Sequence, residues 1–207
     1  MEGTLRWKDI PLFIVFVDFR AAFDTASRET IVWKLACAGV PRSILDLLSS
    51  ILKENMISID DGVAQHGPFF QTTGVPQGDC LSPLLFSTLL GDLPNIIQER
   101  HRAVEAVMYA DDLALISQSE FHLQQSMSTL VEHARKCGLE INVGKTMSMR
   151  VSRTGRQTRA PKFRISGEYI PQVNYFSYLG VIIPSDGKSY GRHIRERVCQ
   201  ALKVLEP

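Results

Sequence analysis

The feature that most constrains this chain is a set of apolar runs that stop at acidic residues. PLFIVFVDF (11–19) is rich in β-branched and aromatic residues and is bounded by Pro11, the pattern of a buried strand ending near Asp18. AVEAVMY (103–109) and LALIS (113–117) flank Ala110-Asp111-Asp112 and read as two strands joined by a tight hairpin. If the first strand lies beside that hairpin, three carboxylates converge on one sheet edge. An Asp-Asp turn alone is usually a solvated hairpin tip, because Asp favours turns. Its combination with a strand-end Asp is what gives it meaning.

Between and after these runs the chain alternates helical and strand-like patterns. Ser27 is placed to cap a helix with Ile31, Val32 and Leu35 inward and Gly39 closing it. Pro41 opens a second, with Ile44, Leu47, Leu48, Ile51 and Leu52 at helical spacing. Two short strands around Asp61-Gly62 suggest a hairpin. Ser82-Pro83 reads as cap and first turn of a third helix, which Pro94 should bend or restart. Ser117 and Glu120 have the spacing of a capping box for a fourth helix ending at Gly138. The runs MSMRV, KFRIS, EYIPQV and YLGVII read as strands, followed by a helix near His193 to Leu205. Together these imply an α+β fold, an antiparallel sheet with helices packed on one face.

At 207 residues the chain can bury a sizeable core as one domain. Apolar residues at 44% and charged residues at 22% exclude a disordered chain. No apolar run is long enough to span a membrane, and MEGTLRWKDI carries no export or transit pattern, so an intracellular setting without membrane contact is expected. Cys37, Cys80, Cys137 and Cys199 lack CxxC spacing and read as buried free thiols. A net charge of +1 does not point to nucleic acid, but the stretch 150–164 holds six basic residues and no acidic one. A solvated loop and a phosphate-contacting segment fit that run equally.

Three convergent carboxylates suit one chemistry in particular. Two divalent ions about 3.5–4 Å apart can clamp the attacking and leaving oxygens of a phosphoryl transfer. Magnesium prefers hard oxygen ligands on rigid elements. Without metal, such acids repel one another and at least one should titrate high.

The series FVDFRAAFD (16–24), TGVPQGDCLSPLLFS (73–87), YADD (109–112), GLEINVGKT (138–146) and YFSYLGV (175–181) resembles reverse transcriptases in the order and spacing of their motifs A to E. The details look most like the non-LTR (LINE-type) retrotransposon enzymes, and group II intron enzymes are similar. The resemblance implies a polymerase palm, with partial fingers at about 25–75, and RNA-directed DNA polymerase activity. It makes Asp18, Asp111 and Asp112 ligands of two Mg2+ ions, with Mn2+ a possible substitute. Lys145 becomes the motif D lysine, which protonates or neutralises pyrophosphate. Phe19, Phe23, Gln77 and Gly78 become nucleotide-binding residues, Phe23 as the bulky ring that excludes a 2′-hydroxyl. Tyr178, Leu179 and Gly180 match the turn that grips the primer end.

The implied partners are an RNA template, a DNA primer, dNTP and the other domains of a retroelement polyprotein. Only 17 residues precede Asp18 and about twenty follow the region of the last motif, so the N-terminal fingers and most of the thumb are expected to be absent from a single palm domain over 1–207. That expectation leaves open a catalytically inactive remnant that at most binds RNA.

Overall fold

The computed structural model describes residues 11–53, 55–152 and 161–186. In chain order these form β1 (Leu12–Val17), α1 (Ala22–Thr25), α2 (Arg28–Cys37), α3 (Arg42–Lys53), β2 (Met56–Asp60), β3 (Gln65–Phe70), α4 (Ser82–Leu90) and α5 (Leu93–Arg100). There follow β4 (Val104–Tyr109), β5 (Asp112–Ser117), α6 (Glu120–Lys136), β6 (Met147–Val151), β7 (Arg164–Ile165), β8 (Glu168–Tyr169), β9 (Tyr175–Tyr178) and β10 (Val181–Pro184). The architecture is α+β, as expected. The chain divides into two compact units, Met1–Asp18, Ile97–Thr129 and Asn142–Pro207 in the first, Phe19–Ile96 and Leu130–Ile141 in the second.

The first unit is built on a four-stranded antiparallel sheet of order β4-β5-β1-β6. β1 is central, and its residues Phe13 to Val17 are all buried, which is why this strand is apolar on both faces. Ile14 and Phe16 share one face with Ala114 and Met149, and Val173, Phe176, Tyr178 and Ile183 pack over them. Phe16 stacks on Phe176 at 4.0 Å between ring centroids. On the alternate face Phe13 meets the buried Phe163 edge-on. Gln124 fixes the neighbouring segment through two main-chain bonds, its Nε2 donating to Arg164 O and its Oε1 accepting from Arg164 N.

In the second unit Ser27 caps α2 by accepting from Thr30 N, and Gly39 takes a left-handed φ of 85° just beyond its end. Arg28 joins α2 to two other segments, donating to Leu52 O, Gly74 O and Thr73 O. The inward stripe of α3 is Leu45, Leu48 and Leu52; Ile44, Leu47 and Ile51 are exposed, contrary to expectation. The helix carries two apolar rows, and periodicity alone does not say which of them turns inward. The hairpin of β2 and β3 forms around Asp61-Gly62, with Asp61 Oδ1 accepting from Val63 N and Ala64 N.

Other local expectations need correction. Ser82 does not cap α4: Leu81 holds the cap position, and the Ser82 hydroxyl donates to Pro76 O. Ser117 does not cap α6 but ends β5, donating to Ala103 O; Ser119 accepts from His122 N instead. KFRIS and EYIPQV shrink to the two-residue strands β7 and β8, and YLGVII breaks at Leu179-Gly180 into a hairpin with β9. Cys137 is buried but Cys37 and Cys80 are exposed. The helix expected near His193, Cys199 and residues 153–160 of the basic stretch lie outside the described residues. Among the described residues no helix is long and apolar enough to cross a membrane.

Candidate active site

β1 and β5 are antiparallel neighbours, with Val17 opposite Leu113. One step further along the same register, Asp18 leaves β1 opposite Asp112, the first residue of β5. Residues directly opposite in such a pair share a sheet face. Tyr109 pairs with Asp112 across the β4–β5 hairpin, so Ala110-Asp111 is a two-residue turn. Ala110 adopts φ 51°, a left-handed conformation costing about 1 kcal/mol for a residue with a Cβ. The sharp reversal puts both hairpin acids at the tip.

The three acids sense one another. Asp112 is held above the usual carboxylate range by partial burial first, then by Asp111 and Asp18. Among the described residues no basic side chain forms an ion pair with any of the three. Their oxygens do not yet close into a cage: among the described residues no three acid, histidine or cysteine side chains are grouped tightly enough to hold a metal ion. The donor set fits hard divalent cations in chemistry and charge, since a cation between such acids turns repulsion into attraction.

The main chain beneath these acids is firmly tied. Asp18 N donates to Thr146 Oγ1 at 3.1 Å, and Asp18 O accepts from Asn142 N at 2.8 Å. The Tyr178 hydroxyl donates to Asp112 O at 3.1 Å. Partial burial and then the Asp112 charge raise the Tyr178 phenol above its ordinary value. The phenol of Tyr178 is thus committed to the acid hairpin. Leu179 and Gly180 form the following turn with left-handed φ of 49° and 75°. Lys145 is exposed on the turn between Asn142 and Thr146, and among the described residues its ammonium has no partner.

The second unit holds the residues read as nucleotide-binding. Phe19 is only 7% exposed and bridges to Ile141, so its side chain packs rather than facing solvent. Phe23 is half-buried, its ring stacked on the buried Phe86 at 4.6 Å. Gln77 Nε2 donates to the Asp24 carboxylate at 3.2 and 3.3 Å. Gly78 has φ 86° and open space where a Cβ would stand, so conformation rather than close approach accounts for it. Gly74 is the crowded one: a Cβ there would lie 2.3 Å from Asp24 O.

Sequence reasoning missed Thr146, Asn142 and Arg28. Thr146 sits inside the quoted GLEINVGKT segment, but nothing local tells that its hydroxyl serves a residue 128 positions away.

The model of the reverse transcriptase (RNA-dependent DNA polymerase) family matches residues 8–183. Among curated relatives, the retrovirus-related Pol polyprotein from type-1 retrotransposable element R2 of Popillia japonica is 28% identical over 84% of this chain and 31% of its own length. The RNA-directed DNA polymerase from mobile element jockey of Drosophila funebris is 27% identical over 86% of this chain and 20% of its own. Telomerase from Candida tropicalis, solved with a fragment of telomeric RNA, shares the fold at a TM-score of 0.65 and 14% identity, covering 90% of this chain and 30% of that one. The chain thus spans about a third or less of each. The chain belongs to the reverse transcriptase family and is a domain of the non-LTR retrotransposon kind.

Proposed function

We propose that this domain carries out RNA-directed DNA synthesis, joining dNTP to a primer 3′-hydroxyl with Asp18, Asp111 and Asp112 as ligands of two magnesium ions. What supports this reading is an acid group on a tied-down main chain that no described cation neutralises: Asp18 lies opposite Asp112 at the strand ends, and Asp112 is held above the usual carboxylate range by partial burial first and then by Asp111 and Asp18. Bound divalent ions would supply activation of the attacking hydroxyl and neutralisation of the phosphoryl oxygens. The acids would hold them, with rigid strand ends limiting how far each carboxylate can wander. The exposed Lys145 would neutralise or protonate the departing pyrophosphate. The hairpin turn Leu179-Gly180 would meet the primer end, with Tyr178 supporting the acids from behind. Phe23, braced by Phe86, would exclude a 2′-hydroxyl. The basic residues of 150–164 would add salt-dependent contacts to template or primer phosphates.

The test is dNTP incorporation by the full chain on a primed RNA template with Mg2+ or Mn2+. Asp112→Asn should abolish synthesis, and Phe23→Ala should raise the use of NTP relative to dNTP. Tight, salt-dependent RNA binding without synthesis under either metal would replace this reading with that of an inactive RNA-binding remnant. A parent chain that prefers NTP would overturn the choice of substrate.

A further inference from the structure

The ladder between β1 and β6 stops at the pair Phe16 and Met147, two residues short of Asp18. Beyond that point Asp18 has lost the strand partner that would satisfy its main chain on the β6 side. Both polar groups of its backbone are nevertheless bonded, and to the same five-residue turn. Thr146 Oγ1 accepts from Asp18 N at 3.1 Å, and Asn142 N donates to Asp18 O at 2.8 Å. The turn is closed on itself, with Thr146 N donating to Asn142 O at 2.8 Å and Lys145 N donating to the same oxygen at 3.2 Å. Asn142 Oδ1 also accepts from Lys145 N at 3.3 Å.

We propose that Thr146 is a positioning residue for Asp18: its buried hydroxyl completes the strand at the point where the ladder ends and so fixes the direction in which the Asp18 carboxylate leaves the backbone. The inference rests on the metal-binding role proposed for Asp18. Thr146 is fully buried, so no water stands ready to replace the hydroxyl if it is lost. A free Asp18 amide would let the peptide plane on its N-terminal side rotate, and the Cα–Cβ direction would turn with it. Because the same turn carries Lys145, the bond also couples the position of that lysine to the acid. Packing alone is a poor account of the residue. Valine has the shape of threonine without the acceptor, so the two explanations separate cleanly.

The experiment uses the full chain without nucleotide and has two readouts. Amide hydrogen exchange at Asp18, followed by NMR, reports the bond itself. Manganese affinity, measured from the paramagnetic resonance of free Mn2+, reports the carboxylate. In Thr146→Val the Asp18 amide should exchange faster and Mn2+ should bind roughly tenfold more weakly, as is typical when an outer partner of a metal ligand is removed. Thr146→Ser should restore slow exchange and bring affinity to within about twofold of the parent.

Parent-like Mn2+ affinity in Thr146→Val would overturn the positioning role while leaving the metal site standing, provided Asp18→Asn weakens binding. Parent-like affinity in Asp18→Asn would instead sink the metal role of Asp18, and this inference with it. Should Thr146→Val fail to fold, Thr146→Ala is compared with Thr146→Ser. Equal affinities in that pair would show that the hydroxyl does nothing for the acid.

Discussion

Two acidic centres of this molecule sit in opposite electrostatic settings. In the second unit Asp92 is answered by a cation: Lys34 Nζ lies 2.5 Å from its Oδ1 while also donating to Leu89 O, and His133 Nε2 approaches to 3.2 Å. The Cys137 thiol donates to the same Leu89 carbonyl, and burial pushes its pKa up to about 11, so it stays protonated there. In the first unit no described basic side chain forms an ion pair with Asp18, Asp111 or Asp112. A half-exposed acid matched to a nearly buried lysine ties helices together. Acids with no described cation beside them repel one another and make no tie of that kind. The contrast separates an acid matched within the fold from acids left unmatched among the described residues, as the proposed metal role requires.

The largest expected effect comes from breaking the matched centre. Lys34→Met takes the charged donor from Asp92 and leaves the Leu89 carbonyl only the weak Cys137 thiol, and should lower stability by about 2 kcal/mol, less than for a fully buried pair because Asp92 is 47% exposed. Asp112→Asn should do the reverse in metal-free chain, raising the melting temperature by relieving repulsion. Thermal unfolding of both variants in the presence of a chelator checks the pair. If Asp112→Asn also destabilises, the acid edge is structural and the contrast collapses.

Much of this was legible beforehand, for identifiable reasons. Strand-end acids declare themselves because an apolar run that stops at Asp is a local pattern; the β1–β5 pairing was only a condition of that reading, and the sheet meets it. The Ser27 cap and the Gly39 stop were equally local. What stayed hidden depends on distant partners or on which of two equivalent patterns wins. α3 offers two apolar rows, and Leu45, Leu48 and Leu52 turned inward rather than Ile44, Leu47 and Ile51. Ser117 and Ser119 both stand ahead of α6, and only the ladder position of Ser117 disqualifies it. Thr146, Arg28 and Tyr178 act through hydroxyl and guanidinium bonds to carbonyls and amides that no spacing rule anticipates.

A smaller effect sharpens the contrast from the acid side. Tyr178→Phe removes the hydroxyl that donates to Asp112 O but keeps the ring packed near Phe16. The carbonyl is part-exposed and water can substitute, so the loss should be about 0.5–1 kcal/mol in denaturant unfolding. No loss at all would mean that the acid hairpin holds its shape by its turn alone, and Tyr178 would return to being a surface group available to a primer.

The smallest effect is one of slope, and it differs in sign between the two centres. Burial outweighs the nearby Asp92 and keeps His133 below its ordinary pKa; its Nε2 is buried and finds no hydrogen bond despite the 3.2 Å approach. The unfolded chain therefore takes up that proton more readily than the folded one. Below the ordinary histidine value, stability should fall as pH falls, until the folded pKa is passed. Asp112 runs the other way. Its folded pKa is raised, so the folded chain holds that proton more tightly, and acidification through the carboxylate range should recover stability that repulsion removed. Denaturant midpoints measured across both ranges should show the histidine limb flattened by His133→Gln and the carboxylate limb flattened by Asp112→Asn. A histidine limb untouched by His133→Gln would mean that the matched centre accepts the proton, with Asp92 rather than burial deciding the outcome.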